Sequence, residues 1–315
     1  MSSCCTPGRG PEPIGLTAPP GTATAEPPAA ALRVRRQLLD LPGGAFSMGT
    51  DDPVGYPADG EGPVRTVELS PFRIAPTTVT NAQFAAFAKA TGYVTDAERF
   101  GFSYVFEGFL PAALAEVSPV VPAVPWWRAV TGASWRHPEG PGSAFAARQH
   151  HPVVHVSWND AEAYCAWSGT RLPTEAEWEF AARGGLDRAR YPWGDELAPD
   201  GRELLNIFDG DFPTPRPGAR GGTVPAKSYR PNGYGLFNVV GNVWEWCADW
   251  FSPDFHRTGP RTDPAGPPSG LARVMRGGSH MCHASYCNRY RVAARSSNTP
   301  DSSAGNIGFR VSADA

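Results

Sequence analysis

The order of apolar and polar residues predicts short helices and strands separated by long loops. Alternation over residues 64–69 is typical of a half-buried strand, and P-G-G-A-F-S-M-G predicts a turn followed by a strand that ends at Met48. Capping pairs at their starts predict three helices. The pairs are Thr80 with Gln83, Ser157 with Asp160 and Thr174 with Glu177. Gly92 and Gly184 are predicted to end the first and the third of these helices.

The apolar residues 153–156 predict a further strand. His151 and His155 flank it with the i, i+4 spacing that would form a metal pair on a helix. On a strand, the same spacing places the two rings on one face but roughly 13 Å apart. The pattern therefore disfavours a metal site at these histidines.

Composition predicts a loop-rich globular domain with an aromatic core. The 315 residues include 34 Pro and 35 Gly, while 10 Trp, 16 Phe and 9 Tyr supply large apolar side chains. Residues 1–34 are rich in Pro, Ala, Gly and Thr, show no apolar periodicity, and are predicted to form a disordered tail. The ordered domain is predicted to comprise residues 35–315.

Charge and cysteine content argue against several classes of protein. A net charge of −3 without a basic block disfavours nucleic acid as a partner. The sequence has no signal-peptide pattern and no apolar run long enough for a membrane span, so neither is predicted. Six cysteines in 315 residues are too few for a disulfide scaffold. We expect a cytoplasmic protein that acts as a monomer.

Residues 100–150 are rich in aromatic side chains and lack a clear periodicity. Phe106 and Trp126 in this segment are candidates for the wall of a substrate-binding groove. The alternative is that these aromatic side chains fill a core beneath long loops.

The candidate redox chemistry lies in residues 276–295, R-G-G-S-H-M-C-H-A-S-Y-C-N-R-Y-R-V-A-A-R. Cys282 and Cys287 are five positions apart and can meet across a short loop. The pair is compatible with a disulfide, a redox dithiol or a site for a soft metal ion such as Cu(I), which prefers thiolates. Two thiolates would leave room for a third sulfur. His283 is either a further ligand or a group that orients the ligands.

A second segment offers oxygen ligands for a hard cation. In N-V-V-G-N-V-W-E-W, residues 238–246, an Asn, a glycine turn and a Glu fall within eight positions. Calcium accepts side-chain and backbone oxygens in such an arrangement. A structural turn with a capping Asn is the alternative.

These motifs resemble the sulfatase-modifying-factor family, also called the formylglycine-generating enzyme family. The similar stretches are V-S-W-N-D-A (156–161), R-L-P-T-E-A-E-W-E (171–179), P-N-G-Y-G-L (231–236), G-N-V-W-E-W (241–246), C-N-R-Y-R-V-A-A-R (287–295) and N-T-P-D-S-S-A-G-N-I-G-F-R (298–310). The resemblance implies a single α+β domain with little regular secondary structure and a C-type-lectin-like fold. It also implies an oxidase that uses O2, a thiol reductant and Cu(I). The substrate would be the cysteine of a C-x-P-x-R motif in an unfolded or nascent type I sulfatase, and the product Cα-formylglycine.

The resemblance also assigns roles to individual residues. Cys282 and Cys287 would bind copper. The oxygen pocket would be lined by Ser279, Trp244 and Tyr286, and the substrate would lie near Asn306, with His283, Phe106 and Trp126 as further substrate-binding candidates.

The implied calcium ligands are Asn238, Gly241, Val243 and Glu245. A second calcium site would begin at Asn206 and Ile207. In the loop that should complete this second site, Arg216 and Arg220 replace the expected acidic residues, which argues against calcium there.

Three further departures from the family pattern bear on compartment and specificity. Val311 stands where relatives from oxidising compartments place the disulfide partner of the Cys165 position. Val292 and Ala182 replace both cysteines of a second bridge. Phe102 replaces an acidic residue that pairs with the substrate arginine in some relatives, which leaves Glu107 or another carboxylate for that role.

The substrate pattern itself occurs near the N-terminus. Cys5-Thr6-Pro7-Gly8-Arg9 satisfies C-x-P-x-R. The segment is a candidate self-substrate or pseudosubstrate, and Cys4 with Cys5 is a candidate copper-capturing pair. Coincidence in a tail is the alternative.

Two other functions are compatible with the fold that the motifs indicate. A sulfoxide synthase would need a non-haem iron site, usually in an added helical domain that residues 1–34 cannot supply. A non-catalytic sulfatase-binding paralogue typically lacks the cysteine pair that is present here.

Overall fold

The computed structural model describes residues 7–8, 29–219 and 221–315, and predictions for residues 1–6, 9–28 and 220 lie outside them. The described chain forms an α+β fold of short elements, as predicted. The helices are α1 Ala29–Arg36, α2 Asn81–Thr91, α3 Asp96–Phe100, α4 Ala112–Val117, α5 Trp158–Ser168, α6 Glu175–Arg183 and α7 Phe255–Thr258. The strands are β1 Leu39–Leu41, β2 Gly44–Met48, β3 Arg65–Leu69, β4 Phe72–Ile74, β5 Phe102–Phe106, β6 Trp127–Thr131, β7 Gly210–Asp211, β8 Thr214–Pro215, β9 Trp244–Trp250, β10 Arg273–Arg276, β11 Arg295–Asn298, β12 Ile307–Phe309 and β13 Ser312–Asp314.

A four-stranded sheet in the order β11-β10-β9-β12 forms the centre of the fold. Strand β9 is antiparallel to β10 and parallel to β12, and its Trp244, Trp246 and Cys247 are buried. The sequence W-E-W-C-A-D-W lacks simple alternation because both faces of this strand are covered. Strands β10 and β11 pair from Arg276 opposite Arg295, so the chain between them is held at one end of the sheet.

Local sequence signals for helices are confirmed in detail. Thr80, Ser157 and Thr174 each accept a hydrogen bond from the backbone three residues on, and each completes a capping box. Gly92 and Gly184 end their helices with positive φ of 69° and 60°, a conformation that glycine adopts without a Cβ clash.

The strand predicted over residues 153–156 is wrong. These residues form a buried, irregular segment in which the Val153 amide donates to the Val79 carbonyl and the His155 amide donates to the Ala304 carbonyl. His155 has a φ of 58°, which interrupts an extended run. The apolar residues are buried by surrounding loops rather than by a neighbouring strand. A short apolar run in the sequence looks the same in both cases.

The predicted domain boundary between residues 34 and 35 falls inside helix α1. Ala31 and Val34 of this helix are buried, with exposed fractions of 0% and 7%. Strands β5 and β6 also pair along their whole length within the segment expected to be irregular. No helix among the described ranges is long and apolar enough to cross a bilayer.

The buried imidazole of His155 should make stability depend on pH. Its ring bonds to Ser103 Oγ and the Pro138 carbonyl, each at 2.8 Å, and burial lowers its pKa to about 4. The unfolded chain binds a proton near pH 6.5, whereas the folded chain resists protonation down to about pH 4. Above pH 6.5, His155 therefore does not make the free energy of unfolding depend on pH. As the pH falls from 6.5 to 4, this group lowers the free energy of unfolding by about 3 kcal/mol.

We expect the difference in unfolding free energy between wild type and His155→Gln to shrink over that pH interval. Denaturant titrations of both proteins at several pH values give the difference directly, and contributions from other titrating groups cancel in it. Parallel stability curves for the two proteins would contradict the prediction.

Candidate active site

The site is built on the cysteine loop, which we define as residues 277–288, between β10 and β11. The Cys282 amide donates to the Ser279 carbonyl at 2.9 Å, and the Cys287 amide donates to the His283 carbonyl at 2.7 Å. These two successive turns fold the loop back on itself. Cys282 and Cys287 are 0% and 1% exposed, so both sulfur atoms lie in the interior.

Tyr290 is buried just beyond the cysteine loop. Burial, followed by the negative charges that Tyr191, Cys282 and Cys287 would carry, raises the pKa of Tyr290 to about 12. Cys282 and Cys287 lie in successive turns of one buried loop.

A buried polar contact joins the cysteine loop to the following part of the chain. Asn306 donates from Nδ2 to Ser279 Oγ at 3.0 Å, and the Met281 amide donates to the same oxygen at 3.2 Å. The Trp244 amide donates to the Asn306 carbonyl at 2.9 Å. The buried Trp244 Nε1 has no hydrogen-bond partner among the described residues. Hydrogen bonds thus join Ser279, Asn306 and the backbone of Trp244.

Aromatic side chains cover the exposed side of the cysteine loop. The ring of Tyr286 stacks on Phe212 with centroids 4.3 Å apart, and Trp126 meets both rings edge-on at 4.9 and 5.2 Å. Phe106, at the end of strand β5, packs against Phe212 with ring centroids 6.3 Å apart. Trp126 and Phe106 therefore belong to one aromatic cluster around Phe212.

Phe208 and Phe212 are parts of this aromatic surface that sequence reasoning missed. Phe208 meets Phe212 edge-on at 5.0 Å, and its amide donates to the Cys282 carbonyl at 3.0 Å. Both come from I-F-D-G-D-F-P, an irregular stretch without periodicity. The repeated pairing of Phe and Asp about a glycine was the only available signal.

His283 lies at the edge of the loop rather than deep beside the sulfur atoms. Its Nδ1 accepts a hydrogen bond from the Ser285 amide at 3.2 Å and lies 2.7 Å from Ser285 Oγ. An amide can only donate, so Nδ1 is the acceptor in this contact. His280 is buried instead, with Nδ1 2.7 Å from the Asn242 carbonyl.

Buried ion pairs hold both ends of the cysteine loop. Arg276, at the end of β10, contacts Glu175 at 2.9 Å and Glu179 at 2.5 Å, while Arg295 contacts Glu175 at 2.5 Å. Burial alone would raise the pKa of Glu175, but the two guanidinium groups lower it to about 2. Glu175 and Glu179 of helix α6 thus have a structural role.

Two more arginines fix the end of the loop to residues 59–61. Arg289 contacts Asp59 at 2.6 Å, and Arg291 binds both carboxylate oxygens of Glu61 at 2.6 and 2.8 Å. These four residues are nearly inaccessible to solvent. The arginines of R-Y-R-V-A-A-R therefore position the loop and do not line its aromatic surface.

The residues considered for calcium fit such an ion only in part. The buried Oδ1 of Asn238 has no hydrogen-bond partner in the described ranges, which suits a ligand oxygen. The Glu245 carboxylate is instead bound by Arg310 at 2.6 and 2.8 Å and by Trp178 Nε1 at 2.8 Å. Its charge is already neutralised, so the Glu245 side chain does not suit calcium.

At the second calcium position, the Asn206 side chain donates to the Gly222 carbonyl at 3.0 Å and to Asn242 Oδ1 at 3.2 Å. Arg216 pairs with Asp209 at 2.7 Å. Among the described residues, no group of three or more His, Cys, Asp or Glu is arranged to hold a metal ion.

Other candidates have contact partners outside the cysteine loop. His151 Nδ1 lies 2.9 Å from Thr223 Oγ1, and the His155 ring is held elsewhere, so the two do not form a metal pair. Glu107 is paired with Arg128 at 2.9 Å. Cys165 is a buried free thiol in helix α5.

Comparison with known proteins establishes the family. The sulfatase-modifying factor enzyme 1-like domain matches residues 23–315. The formylglycine-generating enzyme of Thermomonospora curvata is 61% identical over 286 residues, which cover 89% of this chain and 94% of that protein. The formylglycine-generating enzyme of Streptomyces coelicolor is 60% identical over 305 residues, covering 96% of this chain and 97% of that protein. The chain belongs to the formylglycine-generating enzyme family.

A solved structure supports the fold of this family member. PvdO from Pseudomonas aeruginosa superposes with a TM-score of 0.64 at 25% sequence identity, covering 88% of this chain and 94% of PvdO. The family match begins at residue 23 and therefore includes helix α1. Within the family domain, the cysteine loop is the element on which thiol groups, aromatic surface and buried ion pairs converge.

Proposed function

We propose that this protein is a formylglycine-generating oxidase that acts on the cysteine of a C-x-P-x-R motif in type I sulfatases. The observation that carries the proposal is the buried pair Cys282 and Cys287, folded together beside the Ser279–Asn306 contact. The identity of about three residues in five to two formylglycine-generating enzymes supports the same activity.

The thiol pair fits Cu(I) because it offers two buried soft donors in one folded loop. When bound there, Cu(I) would supply an electron-rich centre for reaction of a substrate thiol with O2. Cys282 and Cys287 would hold this ion as thiolates, which leaves the protons of both groups to solvent.

The chain's own residues would then position the reactants. Ser279 Oγ is fixed by two donors, Asn306 Nδ2 and the Met281 amide. The unpartnered Trp244 Nε1–H is a preorganised donor for a small polar reactant such as reduced oxygen. The covering rings of Trp126, Tyr286 and Phe212 would exclude water from the reacting sulfur.

Substrate binding would use the same aromatic surface. An unfolded peptide brings a proline and other apolar side chains, which gain free energy by packing on the rings of Trp126 and Phe212. Glu107 is already paired with Arg128, and we therefore do not assign the substrate arginine to it.

Calcium, if bound, would use Asn238 Oδ1 with backbone oxygens of residues 238–243 rather than the Glu245 carboxylate. Its role would be structural, since this segment leads directly into β9 and hence to Trp244.

Turnover of a short peptide tests the proposed function. The purified protein is incubated with a C-x-P-x-R peptide, Cu(I), O2 and dithiothreitol, and the peptide is followed by mass spectrometry. We expect the mass loss that accompanies replacement of CH2–SH by an aldehyde, together with capture of the product by an aminooxy probe. Peptides with Ser in place of Cys, or Ala in place of Pro, are the matched controls. An unchanged C-x-P-x-R peptide would overturn the proposal.

A further inference from the structure

Three oxidisable aromatic rings form a stacked column that starts just beyond the cysteine loop. The rings of Tyr290 and Tyr191 are nearly parallel, 13° apart, with centroids separated by 6.3 Å. Tyr191 stacks in turn on Trp193, with centroids 5.5 Å apart and an angle of 12°. We call these three residues the aromatic column. Its members are tyrosine and tryptophan, the two aromatic side chains that give up an electron most readily.

Backbone hydrogen bonds fix the aromatic column. The Tyr191 amide donates to the Gly194 carbonyl at 2.8 Å, and the Gly194 amide donates to the Tyr191 carbonyl at 3.1 Å, which closes a tight turn that carries the indole ring. The Val292 amide donates to the Arg190 carbonyl at 2.9 Å and ties this turn to the segment that follows the cysteine loop. The stacking is therefore set by the backbone on both sides.

The inner end of the aromatic column lies beside the candidate redox site. Tyr290 is 3% exposed and follows Cys287 by three residues, which span at most about 11 Å. Burial raises the pKa of the phenol, and negative charges, including those of the Cys282 and Cys287 thiolates, raise it further. An oxidant formed from O2 in the cysteine loop would therefore have Tyr290 within reach.

The outer end of the aromatic column reaches the surface. Tyr191 is 6% exposed, whereas Trp193 is partly exposed and donates from Nε1 to the Glu196 carbonyl at 2.8 Å. Trp193 also lines a surface crevice of about 710 Å³. A crevice of this size admits a small thiol to the indole ring. The column thus joins the closed interior to a place that a soluble reductant can reach.

We propose that the aromatic column carries oxidising equivalents away from the cysteine loop when no substrate thiol is present. The inference rests on the proposed function, because it requires an oxidant formed from O2 beside Cys282 and Cys287. Such oxidants convert cysteine thiols to sulfinic and sulfonic acids, which thiol reductants do not restore. Stacked rings exchange electrons far faster than an enzyme turns over, so an electron drawn from Trp193 protects both thiols.

The electron balance closes with the thiol reductant as the final donor. The oxidant takes one electron and one proton from Tyr290. Tyr191 restores Tyr290, Trp193 restores Tyr191, and an external thiol restores Trp193, with one electron and one proton at each step. Thiyl radicals then combine in pairs as disulfides. Complete reduction of one O2 in this way consumes four thiols and yields two disulfides and two water molecules.

Oxidation of the protein in the absence of peptide tests the proposal. Cu(I)-loaded wild type and Tyr191→Phe are incubated with O2 and limiting dithiothreitol, and oxidised residues are located by mass spectrometry. Phenylalanine keeps the ring but resists oxidation, so this variant interrupts the column without removing its packing. We expect oxidised Trp193 in wild type, and oxidised thiols in the cysteine loop of Tyr191→Phe instead. Oxidation at the same positions in both proteins would overturn the proposal.

The lifetime of the enzyme under the same conditions gives the second readout. Tyr191→Phe and Trp193→Phe should lose activity several-fold faster than wild type during incubation without peptide, while their initial rates on a C-x-P-x-R peptide stay normal. Tyr234→Phe is the matched control, because Tyr234 also stacks on a buried ring, that of Phe180 at 5.4 Å, outside the column. Its lifetime should match that of wild type. Equal lifetimes of all four proteins would overturn the protective role.

Conversion of the peptide separates failure of this inference from failure of the proposed function. If wild type converts the peptide but neither lifetime nor oxidised positions depend on Tyr191 or Trp193, the column is a packing feature and the enzyme activity stands. If wild type neither converts the peptide nor consumes O2, the proposed function and this inference fail together. Oxidation at Trp126 or Tyr286 in place of Trp193 would overturn the assignment to the column.

Discussion

Replacing either Cys282 or Cys287 with alanine is expected to abolish formylglycine formation. Both sulfur atoms are buried in one folded loop, and loss of either would leave Cu(I) with one fixed thiolate. When catalytic residues act as a unit, removing one of them abolishes nearly all of the rate enhancement that they provide together. The rate should therefore fall roughly a thousandfold or more in each single variant, and no further in the double variant.

Cys165→Ala is the matched control for these variants. Cys165 is also a buried thiol, but it lies in helix α5, away from the cysteine loop. Its replacement removes a similar volume and should retain activity. Initial rates measured by mass spectrometry on the C-x-P-x-R peptide give the comparison, and near-normal activity in Cys282→Ala or Cys287→Ala would contradict the two-thiolate account.

The largest expected effect on stability comes from Glu175→Ala. Arg276 and Arg295 are both 0% exposed and share the Glu175 carboxylate. The substitution removes the carboxylate that pairs with the buried Arg295 and leaves Arg276 with Glu179 alone. Breaking a buried pair in this way costs about 3–5 kcal/mol. For a protein of this size, the loss should lower the Tm by about 5–8 °C.

Arg257→Ala is the control for this second prediction. Arg257 and Asp254 form an ion pair at 3.6 Å with both side chains about two-thirds exposed, and such pairs contribute less than about 1 kcal/mol. Calorimetry or denaturant unfolding of the three proteins gives the comparison. A Glu175→Ala protein as stable as Arg257→Ala would show that the buried ion pairs do not hold the cysteine loop.

The local features of the fold were predictable because they depend on neighbouring residues. Capping boxes at Thr80, Ser157 and Thr174 need only the residue three positions on. The approach of Cys282 to Cys287 likewise needs only a short loop. Family motifs then supplied the fold and the expected roles of Ser279 and Asn306, which no periodicity could have given.

The remaining features depend on contacts between distant parts of the chain. Asp59 and Glu61 hold arginines that are 230 positions away, and no pattern near either carboxylate identifies the partner. Phe212 joins the aromatic surface through an irregular loop. The short apolar run at residues 153–156 was assigned to a strand because burial by loops and burial in a sheet leave the same signature in sequence.

The stoichiometry of activation by copper tests the central claim most directly. Enzyme freed of metal with a Cu(I) chelator is titrated with Cu(I), and the rate of aldehyde formation in a C-x-P-x-R peptide is measured at each addition. We predict that activity rises linearly to a sharp end point at one Cu(I) per wild-type chain and stays absent throughout in Cys282→Ala and Cys287→Ala. Full activity of the chelator-treated enzyme, or equal activation of the cysteine variants, would contradict the account.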